Sequence, residues 1–193
     1  MVIQIGEKSE GSFDNPMGLL NDCHRRIERF LSAMVELARF AQGGSLNEEQ
    51  REALSESLRY FRESAPKHTQ DEEESLFPRL SHLRNPKVQA VLARIGKLRD
   101  DHAVADKTHR EIEDLAGRWL KDGRLPEESA RRLAGLLEGL SDHYYKHILL
   151  EETEVFPIAA RALEKSDLDA IGREMAERRG VGSEEWGNRE LGK

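Results

Sequence analysis

Apolar residues recur at every third or fourth position along four long stretches of this 193-residue chain, each bracketed by helix start and stop signals. The first opens at Asn15-Pro16, an N-cap followed by proline at the first helical position, and ends at Gly43-Gly44. Its inward stripe is Leu20, His24, Ile27, Leu31, Met34, Ala38 and Ala41. The second opens at Asn47, with Gln50 completing a capping box, and its stripe runs Leu54, Leu58, Phe61, Ala65, His68, Glu72, Leu76. Pro78 is its expected stop, and Pro66, inside the pattern, predicts a kink or short break just before His68. Asn85-Pro86 opens a third stretch carrying Ile95, Leu98, His102, Ala105, His109, Ile112, Ala116 and Trp119, with Gly123 and Pro126 marking its end. A fourth starts near Glu127 and carries Leu133, Leu137, Leu140, Tyr144, His147 and Glu151; beyond Pro157 the run Ile158 to Leu163 suits one more helical turn.

Four such stripes predict an all-α, up-down-up-down antiparallel four-helix bundle over residues 15–163. Residues 1–14, aperiodic and with two glycines, read as a flexible N-terminal arm. Residues 164–193 read as a short C-terminal helical appendage, a turn or two around Leu168, Ile171 and Met175, followed by a polar, glycine-rich, disordered tail.

The composition, 37% apolar, 35% charged and 6% aromatic, fits one helical domain with broad charged faces. A net charge of −7 argues against a nucleic-acid or acidic-membrane partner. The apolar runs are too short to span a bilayer, and the start lacks the basic and apolar regions of a secretion leader, so a cytoplasmic location is expected. The lone Cys23 agrees with a reducing compartment.

The chemistry lies in a duplication. Residues 68–78, HTQDEEESLFP, recur as HILLEETEVFP at 147–157, so a histidine, a glutamate four residues on, a second glutamate and a terminal Phe-Pro repeat in register. Upstream, His24 and His102 form a matching pair. The order His24, His68 with Glu72, His102, His147 with Glu151 resembles the hemerythrin-like (HHE cation-binding) domains, whose pattern H, HxxxE, H, HxxxE is filled here at all six positions. The resemblance spans about residues 15–163 and implies a metal-binding four-helix bundle.

Helix geometry supports convergence. At about 1.5 Å per residue, His24 and His68 stand at one level when counted from Pro16 and Pro78, and His102 and His147 agree when counted from Leu120 and Glu127. Six polar groups among leucines require a cation, because unpaired buried groups cost a few kcal/mol each, about 1 to 3. Imidazoles with carboxylates suit iron, manganese or zinc, and carboxylates shared between two metals build dinuclear iron sites in bundles. The expected assignment is two non-haem iron ions, oxo- or hydroxo-bridged, with two histidines on each and Glu72 and Glu151 bridging. An open place on the metal would take dioxygen, nitric oxide or peroxide. Glu73 and Glu152, a further ~100° around their helices, are expected to point away.

Other candidates are weaker. His109 is on the stripe but about 10 Å along the axis from His102, which suits a core or supporting role. His143 flanks the stripe, Tyr144 lies near the site, and Glu28 and Asp106 each follow a ligand-type histidine by four residues, as ligand-orienting groups or as surface partners of Arg or Lys. Cys23 reads as interior filler, and His82 has no visible role. Resemblance to the family implies oxygen storage or carriage, sensing of oxygen, nitric oxide or iron, peroxide or nitric oxide decomposition, or iron supply for iron–sulfur cluster repair. The stretch before Asn15 is too short for the added cysteine-bearing domain of the repair proteins, and Asp106 stands where oxygen carriers have a fifth histidine. The expected function is therefore a di-iron protein binding a small ligand in sensing, storage or stress response, with a peroxide- or nitric-oxide-decomposing enzyme, or an iron donor for iron–sulfur cluster repair, as the alternative.

Overall fold

The structure, a computed structural model, describes residues 11–182. All named elements among them are helical. Helix α1 (Pro16–Ala41) is capped by Asn15, whose side chain accepts from Gly18 N, and closes through Gln42 in the left-handed region (φ 48°). Helix α2 (Glu48–Glu63) carries the full Asn47/Gln50 capping box. The expected break falls at Ser64, after which α3 (Ala65–Gln70) begins with Pro66 in its first turn.

A widened turn, the first π turn (Asp71–Leu76), follows, and α4 (Phe77–His82) continues beyond it. Pro78 therefore does not stop this helix. Its ring would clash with the carbonyl of Glu74 in a regular α-helix; the π turn, closed by Phe77 N–H to Glu72 O, relieves the clash by an i→i+5 register. The fourth arm repeats the device: α6 (Glu127–Leu150), a second π turn (Glu151–Val155) closed by Phe156 N–H to Glu151 O, and α7 (Phe156–Ala162). Between these arms α5 (Pro86–Asp122) runs unbroken from its Asn85 cap to Gly123 in the left-handed region (φ 77°).

Helix α1 packs on α2 and α6, and α5 on α2 and α6, which makes a four-membered ring. The α1–α2 and α5–α6 connections meet at one end: Leu125 N–H donates to Gly43 O at 2.8 Å, Trp119 Nε1 to Gly44 O at 2.8 Å, and Arg51 to Leu120 O at 2.6 Å. A Cβ on Gly43 would lie 2.8 Å from that of Ala130, so the contact needs glycine there. These contacts establish the up-down-up-down bundle.

A fifth helix, α8 (Lys165–Arg178), buries Ile171, Met175 and Ala176 against the other end. It is longer than the one or two turns expected. Its Gly172 admits the carbonyl of Phe13, which a Cβ would meet at 1.9 Å. Within the predicted N-terminal arm, residues 11–14 are tied down: Asn15 N–H donates to Ser12 O, Gly11 N–H to Asp22, and Phe13 packs on the core. Residues 1–10 and the expected polar tail from 183 onward lie outside the described residues.

The interior is two apolar clusters with a polar layer between. One, toward the loop end, holds Ile27, Leu31, Phe61, Ala105, Trp119, Leu137 and Ile148. The other holds Leu20, Leu76, Phe77, Leu98, Val155, Phe156 and Met175. On α1 and α5 the seam falls between Leu20 and Ile27 and between Leu98 and Ala105, where His24 and His102 sit.

Candidate metal centre

Each arm of the ring sends its polar residues into this seam. His24 comes from α1, His68 from α3, Glu72 from the first π turn, His102 from α5, His147 from α6 and Glu151 from the second π turn. Five of the six are buried, and the His102 side chain is 9% exposed.

Their donor atoms form two overlapping groups. His24, His68, Glu72 and Glu151 make one, and His102, His147, Glu72 and Glu151 the other, with the ligand-type atoms of each group within 4.8 Å of one another. Both glutamates belong to both groups. Glu72 lies between His68 (Nε2 to Oε1 3.4 Å) and His102 (Nε2 to Oε2 3.3 Å). Glu151 lies between His147 (Nε2 to Oε1 3.2 Å) and His24 (Nε2 to Oε2 3.1 Å). The duplication of the sequence thus becomes an approximate two-fold arrangement of side chains.

Burial and mutual repulsion shape the electrostatics of this cluster. Burial and the neighbouring charge of Glu151 push the Glu72 carboxyl up to about 7. Burial acts upward on Glu151 too, but the imidazoles of His147 and His24 beside it outweigh this and hold it below the usual carboxylate range. Burial pulls His24 down, and Glu151 and Glu152 reverse this to raise it to about 9; for His102, Glu72 and Glu73 likewise overcome burial and raise it to about 9. His68 is pushed well below its ordinary value by burial and by the charge of His24. Nε2 of His102 and Nε2 of His147 face each other at 3.0 Å, so at most one proton fits between them. Both oxygens of Glu72 and of Glu151, and Nε2 of His24, are buried without a hydrogen-bond partner. Lone pairs that converge on one small volume and lack protein partners fit bound metal.

Glu73 and Glu152 correct the expectation that they point away. Glu152 Oε1 accepts from His24 Nδ1 at 2.9 Å, and Glu73 Oε1 from His102 Nδ1 at 2.7 Å. Each therefore grips the outer nitrogen of a histidine from the other half of the duplication and leaves Nε2 facing the centre. A ~100° step per residue holds for a regular α-helix, and both glutamates sit in π turns. The sequence did carry a signal, since the doubled Glu-Glu recurs in both copies. Arg25 pairs with Glu152 and with Glu28.

Glu28 and Asp106 take surface roles, with Arg25 and Arg110 as partners. His143 bonds the Asp101 carbonyl at 3.0 Å. His109 is joined to the Tyr144 hydroxyl at 3.0 Å and stacks on Phe61, and burial lowers it to about 4 and pushes Tyr144 up. It lines a cleft of about 250 Å³ with Met34, Leu58, Phe61, Pro66 and Ile112, beside the break at Ser64. Tyr144 bridges from there to the centre, its ring 6.4 Å from that of His147. Cys23 is buried, and His82 bonds the carbonyl of Pro78 on the surface. Among the described residues no helix is long and apolar enough to cross a membrane.

Comparison with known proteins agrees with this geometry. An uncharacterized protein of Haemophilus influenzae is 25% identical over 181 residues, covering 93% of this chain and 99% of that protein. The family model described as the hemerythrin HHE cation-binding domain matches residues 15–159, which include all six seam residues. With its buried histidine–glutamate clusters and this match over most of its length, the chain belongs to the hemerythrin HHE cation-binding domain family.

Proposed function

We propose that this chain is a dinuclear non-haem iron protein that binds dioxygen or a related small ligand, nitric oxide or peroxide, as a sensing, storage or stress-response module. The observation that carries the reading is the sharing of Glu72 and Glu151 between two groups that each add their own pair of histidines. A mononuclear site would leave one group of buried lone pairs without a partner. In this reading His24 and His68 hold one iron, His102 and His147 the other, and the two glutamates bridge. When bound, such a pair supplies two electrons and an open coordination place.

The protein's own part is positioning and exclusion of water. Glu73 and Glu152 keep the His102 and His24 rings aimed inward. Phe156 stacks on His24 at 5.4 Å and closes one side, while the apolar clusters above and below keep water out. The cleft at the Ser64 break, lined by Met34, Leu58, Phe61, Pro66 and Ile112 together with the charged Arg62, Asp106, Arg110 and Glu113, is wide enough for a diatomic to approach His109. A binding role is favoured over an enzyme because Glu28 and Asp106, which could have carried protons at the site, are engaged on the surface with Arg25 and Arg110.

Anaerobic reconstitution with ferrous iron, followed by desalting and metal analysis, tests the stoichiometry: about two irons per chain are expected, with a near-ultraviolet band after oxidation that azide shifts. One metal per chain, or a preference for zinc over iron, would refute the dinuclear iron reading. Sustained consumption of peroxide or nitric oxide at about 1 s⁻¹ or faster, over repeated additions, would move the protein to the enzymes.

A further inference from the structure

The two π turns share the bond that closes them and their glutamates, but the first begins one residue earlier, at Asp71, and they differ in how they are held. At the first, the residue before Glu72 is Asp71, fully buried, and both its carboxylate oxygens are taken by α8 and its cap: Arg178 Nη1 donates to Oδ1 at 2.9 Å and Arg179 Nη2 to Oδ2 at 2.6 Å. Arg178 Nη2 also donates to Ser75 Oγ at 2.8 Å. The Ser75 carbonyl accepts from Arg79 Nη1 at 2.8 Å, and Arg79 is itself paired with Glu174 of α8. In the second copy the place of Asp71 is taken by Leu150, which packs on the apolar cluster. The family match ends at residue 159, before α8 begins.

A π turn is rarer than regular helix and is kept where the surroundings hold it. The first one carries both Glu72, shared by the two donor groups, and Glu73, which aims His102. A shift of one residue in its register would turn both away. A carboxylate at 0% exposure also persists only where fully paired, so docking of α8 and the shape of the turn are mutually dependent.

We propose that Asp71, gripped by Arg178 and Arg179, is a positioning residue for the metal centre, through which the C-terminal helix sets the geometry and metal affinity of one half of an otherwise two-fold site. The inference rests on the metal-binding reading above, and its test separates the two. Hydrogen–deuterium exchange is measured on the metal-free, full-length protein for peptides spanning residues 71–76 and 151–155. Cobalt(II) affinity is measured alongside, by competition with a chelator. The variants are Asp71→Leu, which copies the second half and takes the carboxylate from Arg178 and Arg179, the double Arg178→Gln/Arg179→Gln, and Asp169→Asn, which breaks the Lys165–Asp169 pair of α8 without touching the π turn.

Asp71→Leu and the double variant should speed exchange in 71–76 but not in 151–155, and lower cobalt affinity about tenfold. Asp169→Asn should change neither. Unchanged exchange at 71–76, equal acceleration of both turns, or the same response in Asp169→Asn would overturn the proposal. A wild-type chain that binds no cobalt or iron would refute the metal reading, and the exchange comparison, made without metal, would still decide the clamp.

Discussion

Removing the carboxylate of Glu73 or Glu152 should weaken metal binding although neither faces the centre. Each accepts a hydrogen bond from the outer nitrogen of a seam histidine, at 2.7 Å to His102 and 2.9 Å to His24. A hydrogen bond to a charged group contributes about 1.5–3 kcal/mol net. Both carboxylates are partly in water, 34% and 28% exposed, which places the effect at the lower end. About 1.4–2 kcal/mol corresponds to roughly a 10- to 30-fold loss of affinity. A second effect acts in the same direction: without its acceptor, the imidazole can carry its proton on Nε2, the nitrogen that must be bare to bind metal.

Glu73→Ala and Glu152→Ala should each show that loss in an anaerobic ferrous-iron titration against a chromophoric chelator. Glu→Gln, which keeps an acceptor oxygen but removes the charge, should cost only about threefold, since part of the hydrogen bond survives. Glu154→Ala, which breaks only a surface pair with Arg94, is the control and should bind as the wild type does. Wild-type affinity in both alanine variants, with binding still abolished by Glu72→Ala, would show that the outer carboxylates are incidental and that the site is set by its six inward groups alone.

Three further outcomes follow from the same structure. The Glu72 carboxyl, raised to about 7, opposes folding of the metal-free protein once it ionises, an effect absent below its unfolded value and fully developed above 7; Glu72→Gln should therefore stabilise metal-free protein at pH 8 by on the order of 3 kcal/mol in urea unfolding, with the gain fading toward pH 5. His109, held neutral and lowered to about 4, contributes stability that is full above its unfolded value near 6.5 and is lost as pH falls toward 4; the stability difference between wild type and His109→Asn should shrink by about 3 kcal/mol across that window, and a flat difference would contradict its burial. Trp119→Phe removes the bond to Gly44 O at the loop end, so it should lower the melting temperature by about 2–6 °C while leaving the metal content unchanged.

The helices were legible because burial follows the 3.6-residue period so closely. Leu20, Ile27, Leu31 and Met34 on the first arm, and Leu98, Ala105, Ile112 and Trp119 on the third, are all buried as their spacing requires. Convergence of the six seam residues was legible for the same reason. What spacing could not convey was a local change of period. Pro78 reads as a stop only if the carbonyl four residues back is where an α-helix puts it, and the π turn moves it. That change also re-aims Glu73 and Glu152.

Repetition was the better guide at these positions, since a Phe-Pro after Glu-Glu in both copies marks a shared device rather than two accidental helix ends. The C-terminal helix lies outside the duplicated unit, so its role shows only where the copies differ. Asp71 stands where the second copy has Leu150, and a carboxylate at a position that is apolar in its twin needs cations that neither copy supplies. Arg178 and Arg179 are those cations, so the departure from symmetry in the sequence points to the element that breaks the symmetry of the site.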